Sequence, residues 1–242
     1  MAKSFHMAMV NATLSDMRIW DIDPGYLARQ QLLGEHRELH GLFNILTMNK
    51  KGYAKHPETV RWIGHVDALV LRHKQLLCEM ALRGYRHQSP LPDSTDMDSW
   101  PGEYIDPPAR QLELLAGKYS GDGRSGRIPL PDNCQELWAH HKYSVMAHDP
   151  NLYRELGPEV AHGKFRNNMN ALACLMISTL RKPPEPGHLL NALQHMWGYV
   201  QEAGSPPSNI EELLATIQSA AIKEDRIYLL HSTALSELAV WV

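Results

Sequence analysis

Apolar residues recur along most of this chain at the three-, four- and seven-residue spacings of helices, not at the alternate positions of strands. Leu32, Leu39, Phe43 and Leu46 are separated by seven, four and three residues and so share one helical face. Asp23-Pro24 ahead of them marks the expected start, with Asp able to cap free amides and Pro preset for a first turn. On that helix Arg37 projects away from the apolar stripe. Glu38 lies at its edge, where a carboxylate is half-desolvated yet within reach of a ligand. A second helix is predicted from His65 to Arg83, with Val66, Leu69, Val70, Leu76, Leu77 and Met80 on one face and Gly84 placed to end it. A short helix follows around residues 109–116.

From Asn133 onward, proline and glycine signals separate helices expected at about 134–147, 151–161, 165–181, 187–203, 208–222 and 224–240. No alternating pattern is long enough to build a sheet, so the expected class is all-α. The first 16 residues show no clear periodicity, residues 88–108 are rich in Pro, Asp and Ser, and Gly117 to Pro131 is the best candidate linker. Two helical domains are therefore expected: an extension at 1–16, a first domain at 17–116, a linker at 117–131 and a helical accessory domain at 132–242. A chain of 242 residues is long enough for two cores.

Composition narrows the function less than the pattern does. Three widely spaced cysteines, Cys78, Cys134 and Cys174, argue against a disulfide framework and fit a reducing cytoplasm. No apolar run approaches the length of a membrane span, and the first ten residues make a poor signal peptide, so neither membrane insertion nor secretion is expected. The net charge is -3, but residues 17–90 carry 11 Lys and Arg against 7 Asp and Glu, with six histidines besides. A locally basic face of this kind suits a phosphate backbone.

The run Gly34-Glu35-His36-Arg37-Glu38-Leu39-His40 follows Met17-Arg18-Ile19-Trp20 and precedes Gly64-His65-Val66, Arg83-Gly84-Tyr85 and Gly102-Glu103-Tyr104-Ile105. In this order and spacing the blocks resemble the pyrimidine-dimer DNA glycosylases of the phage endonuclease V type, over about residues 17–108. The resemblance implies an endonuclease V-like helical domain acting on damaged duplex DNA. It makes the α-amine of residue 17 the nucleophile at sugar C1′ and Glu38 the catalytic carboxylate that assists β-elimination. It also implies that Arg18 and Arg37 hold phosphates around the lesion. Chemistry favours such an amine, because an α-amine has a pKa of about 7.7–8.0 against about 10.4 for lysine. Met17 is internal here, so the active species is expected to start at Met17; otherwise Lys50, Lys51, Lys55 or Lys74 would have to serve. His40 stands near the place of a further family arginine and is grouped with the DNA contacts. The turn-forming loop with Lys50, Lys51 and Lys55 is expected to add phosphate contacts.

Leu137-Trp138-Ala139-His140-His141-Lys142, Met146-Ala147-His148, Tyr153-Arg154-Glu155-Leu156-Gly157, Arg181-Lys182-Pro183-Pro184 and Asn191 to Tyr199 resemble the YbgA-type domain of unknown function. That resemblance implies a nucleic-acid or nucleobase setting without fixing a reaction. His141, Lys142, His148, Arg181, Lys182 and His195 are its candidate pocket, with packing and capping as the plainer reading. His36 and His40 are four apart, a spacing that can hold a metal, yet no third ligand is apparent, so neither metal nor cofactor is expected. The leading expectation is a cytoplasmic DNA-repair glycosylase and AP lyase whose partner is DNA. The alternatives are a noncatalytic nucleic-acid-binding protein, or an enzyme acting on modified RNA or nucleobases through the second half.

Overall fold

The structure, a computed structural model, describes residues 17–48, 50–92, 100–121, 123–200 and 205–242. The expected extension at 1–16 lies outside the described residues. Among the described residues the regular elements are all helical, and none is long and apolar enough to cross a membrane.

Residues 17–23 lead into a 3-10 turn at Pro24–Tyr26, capped by Asp23, whose side chain accepts from the Gly25 amide. The first long helix, α1, spans Arg29–Met48, so Asp23-Pro24 opens only this turn and not the helix. The reason is burial: Tyr26, Leu27 and Ala28 are inside the core, and the chain dips into it before the helix begins. Then come α2 (Pro57–Arg61), α3 (Val66–Leu82) and α4 (Pro108–Tyr119). Gly84 at φ 76° ends α3, its amide and that of Tyr85 bonding back to Ala81 and Met80.

The second half contains α5 (Cys134–His148), α6 (Pro150–Ala161), α7 (Met169–Leu180), α8 (Pro186–Trp197) and α9 (Ile210–Lys223). Asn133, Asp149, Asn168 and Asn209 cap α5, α6, α7 and α9 with their side chains. The helix expected over 224–240 is instead three short pieces: α10 (Ile227–Leu230), α11 (Ala234–Glu237) and a 3-10 turn at Leu238–Val240. Thr233 interrupts it, because its amide and hydroxyl both bond the His140 carbonyl and its hydroxyl also meets Ser144.

α1 packs on α3, α4 on α7, and α5 against α6, α7 and α8. One apolar cluster runs from Ile19 and Trp20 through Leu39, Leu69 and Leu112 to Leu137, Leu172 and Leu180, and so spans both expected domains. A second cluster gathers Met146, Leu193, Met196, Leu213, Ile217, Leu235 and Leu238. The C-terminal pieces return to α3, with α11 and the last 3-10 turn packed on it.

The segment proposed as a linker takes part in this packing. Tyr119 and Ile128 are buried, and the Ile128 amide donates to the Gly25 carbonyl at 2.9 Å. A Cβ on Gly126 would stand 2.3 Å from the Gly25 oxygen, so glycine here serves close backbone approach and not looseness.

Candidate active site

The segment Arg18–Ile22 runs across α1 and is held there by carboxylates. Residues 31, 34, 35 and 38 share one side of α1, which puts Glu35 and Glu38 in line under the segment. The Arg18 amide donates to Glu38 Oε2 at 2.7 Å, and the Trp20 amide to Glu35 Oε1 at 3.1 Å. Glu35 is buried and receives a paired contact from Arg72 of α3, at 2.8 and 3.1 Å. Burial pushes its carboxyl up to about 7, with Arg72 pulling the other way. Asp21 is gripped on all sides: Arg61, Arg181 (2.7 Å) and the Gln111 side-chain amide (2.9 Å) all reach its carboxylate.

Arg18, Trp20, Gln30, Gln31, Gly34, Glu35, Glu38, Leu114 and Lys118 surround a cleft of about 420 Å³. The Arg18 guanidinium lies 2.6 Å from Asp106 and 5.0 Å from the centre of the Trp20 ring. This is an acidic group at the floor of a polar cleft with two cations at its edge. Such a site suits an anionic ligand whose reacting atom must meet a carboxylate.

Of the predicted residues, Arg18 and Glu38 come together here, and Met17 directly precedes Arg18 in the chain. Arg37 is exposed on α1, and His40 lies on the side of α1 away from the cleft, 200° from Glu38. Lys50, Lys51 and Lys55 are exposed on the loop after α1, where Lys51 and Lys55 flank the half-exposed ring of Tyr53 around a shallow hollow. Trp20 and Trp62 are buried, so packing occupies both. Lys118 and Gln31 escaped the sequence reading. The stripe Gln31, Gly34, Glu35, Glu38 was a visible signal for Gln31, whereas nothing local marked Lys118.

The six candidate residues of the second half do not converge on one pocket. His141 is buried beside Tyr26 and bonds the Leu137 carbonyl. Lys142 sits 4.9 Å from the centre of the Tyr228 ring and 5.2 Å from that of Tyr143. Arg181 holds Asp21 and stacks on Trp100 at 4.5 Å. His148 bonds Glu237 and the Lys182 carbonyl, at 2.8 and 2.6 Å, while the Lys182 side chain is exposed. His148 and His195 share a hollow of about 460 Å³ with Asp149, Arg154 and His188, while His141 and Arg181 line a separate small cavity of about 30 Å³ beside Asp21 and Asp23.

The expectation that His36 and His40 lack a third ligand is overturned. His73 of α3 and His87, just beyond it, join them, and the four rings place one nitrogen each within 4.8 Å of all the others. Sequence spacing hid this, because the partners lie 33 and 47 residues after His40. Burial and mutual repulsion push His36 down to about 4 and His73 to about 3.

No curated protein and no solved structure matched the chain. Residues 142–220 match the family described as a protein of unknown function (DUF1722), in agreement with the resemblance of the second half. Residues 17–93, which carry Arg18, the Arg37-Glu38 pair and the floor of the cleft, match the family of pyrimidine dimer DNA glycosylases.

Proposed function

We propose that this chain is a DNA-repair glycosylase and AP lyase that acts on pyrimidine dimers in duplex DNA, with the second half as a helical accessory. The observation that carries this reading is the 2.7 Å hydrogen bond from the Arg18 amide to Glu38 Oε2. It fixes position 17 beside a partly shielded carboxylate, because covalent geometry keeps consecutive backbone nitrogens within about 4 Å of each other. In a chain that starts at Met17, that nitrogen is a free α-amine, and a substantial share of it is unprotonated near neutrality.

The chemistry follows from those two groups. With the target nucleotide displaced from the stack, the amine lone pair attacks C1′ and the glycosidic bond breaks, its electron pair leaving with the base, which takes up a proton. Loss of the amine proton and opening of the C1′–O4′ bond, with a proton delivered to O4′, give an iminium at C1′. Glu38 then removes a C2′ proton; those electrons form the C2′=C3′ bond, and the 3′ phosphate leaves with the C3′–O electron pair. Water hydrolyses the imine and returns the amine. In this reading Arg18 and Lys118, which line the cleft, bind the phosphates flanking the displaced nucleotide.

Borohydride trapping tests the reading, because it reduces the imine to a stable covalent adduct. Protein beginning at Met17 is expected to form an adduct with dimer-containing or abasic duplex, whereas protein beginning at Met1 forms none. Failure of the folded Met17 form to trap either substrate would overturn the lyase. Preference for tRNA over damaged duplex would move the activity to the second half.

A further inference from the structure

The histidines of α1 and α3 form a second constellation on the far side of α1 from Glu38. His40 Nε2 lies 3.3 Å from His36 Nε2 and 3.2 Å from His73 Nε2. These contacts cannot both be good hydrogen bonds, since a neutral imidazole nitrogen carries either one proton or one lone pair. His87 Nε2 is shielded from solvent and has no hydrogen-bond partner. His73 is buried, and the other three rings are partly buried around it. Four nitrogens thus converge where hydrogen bonding among them leaves at least one unsatisfied, a costly arrangement for buried polar atoms.

A cation removes that conflict, because each neutral nitrogen then offers its lone pair to one centre. We propose that His36, His40, His73 and His87 bind a single divalent transition-metal ion, with zinc as the best-fitting chemistry. Two nitrogens held about 2.0–2.1 Å from an ion at the tetrahedral angle lie about 3.3–3.4 Å apart. The two short separations match that edge. A square-planar copper or nickel site would bring neighbouring nitrogens to about 2.8–2.9 Å. An all-imidazole set without a carboxylate disfavours calcium and magnesium. The widest pair, up to 4.8 Å apart, closes by about 1.5 Å when the ion binds. His87 lies beyond α3 in a segment without regular structure, where no helical hydrogen bonds fix the backbone.

Four protein ligands close the coordination sphere, which is the arrangement of a structural site. The ion would pin α1 to α3 and to the segment after α3. It would do so from behind the helix whose opposite face carries Glu38, so the site is separate from the cleft and does not depend on the reading given to it.

The test uses the full chain without a polyhistidine tag, stripped with a chelator and titrated with Co²⁺ alone, then with Zn²⁺. Saturation at a single ion per chain is expected, with the intense visible absorption of tetrahedral cobalt, which zinc abolishes by displacement. Thermal midpoints should rise on zinc addition. His87→Gln should weaken zinc binding by at least the 10–100-fold that even an outer-shell loss costs, with the helical circular dichroism kept. His36→Gln/His73→Gln should abolish the cobalt spectrum. Should that double variant fail to fold, the wild-type stoichiometry and His87→Gln decide. Wild-type protein that takes up neither ion saturably, or His87→Gln that binds as wild type does, would overturn the site.

Discussion

Arg127 Nη2 lies 2.7 Å from Glu79 Oε2, in a contact that removes the carboxylate from solvent. Arg83 shares the same carboxylate at 2.6 Å, and Arg127 continues to the Leu230 and Ser232 carbonyls. One guanidinium therefore ties α3 to the C-terminal pieces. Arg127→Met leaves Glu79 with half its compensation and should lower the unfolding free energy by about 3–5 kcal/mol. A urea midpoint unchanged from wild type would refute this.

The same pair sets an acid limit. Burial raises the Glu79 pKa, but Arg127 and Arg83 outweigh it and hold the group below its ordinary value of 4.5. A carboxyl depressed by folding contributes stability above the unfolded value and loses it as pH falls through the folded one. Wild-type stability should thus decline below about pH 4.5, and Arg127→Met should flatten the decline. Equal acid slopes in the two proteins would contradict the assignment.

His148 gives the opposite sign. Burial lowers its pKa, yet the ion pair with Glu237 and the Lys182 carbonyl raise it above 6.5 overall. Its contribution is complete below about pH 6.5 and disappears as pH rises through the folded value. Melting temperature should fall from there into mildly alkaline pH, and His148→Gln should remove that part of the fall. A variant that keeps the wild-type alkaline slope would exclude the pair as its source.

Glu38→Gln, in protein starting at Met17, should cut strand cleavage by about 10²–10⁴-fold, the range for a positioned acid-base group. DNA binding and thermal midpoint should change little. Cleavage within threefold of wild type would remove Glu38 from the mechanism.

Charge reversal of Lys50 and Lys51 tests the exposed loop. Each lost phosphate contact should make the slope of log binding constant against log salt shallower by about 0.9. Affinities measured between low and moderate salt that keep the wild-type slope would place the loop outside the DNA interface.

Gly126→Ala should destabilise by about 1–3 kcal/mol or more, since its Cβ would stand 2.3 Å from the Gly25 oxygen and backbone must shift. Denaturant unfolding reads the difference. A neutral result would mean that this approach relaxes easily.

Periodicity disclosed the helices whose apolar faces are continuous, such as α1 and α3. It failed where single polar contacts outweighed it. Thr233 broke the last expected helix by bonding His140 and Ser144, which lie 93 and 89 residues earlier. The meeting of Glu38 with the Arg18 amide was accessible only through family likeness, because 20 residues separate them and neither type is unusual. The histidine cluster was half legible: His36 and His40 announce themselves by spacing, while His73 and His87 arrive through packing of α1 on α3. The glycine-rich stretch after α4 misled because glycine signals either mobility or tight approach, and composition does not distinguish the two.

Arg181 reaches across from the far half of the chain to hold Asp21, three residues beyond Arg18. A fragment stopped after α4 would forfeit that clasp together with α7, against which α4 rests. Its leading segment would keep the holds of Arg61 and Gln111 on Asp21 but lose the third, from Arg181. The downstream half thereby braces the segment beside the upstream cleft, and the two pieces have reason to be inherited as one polypeptide.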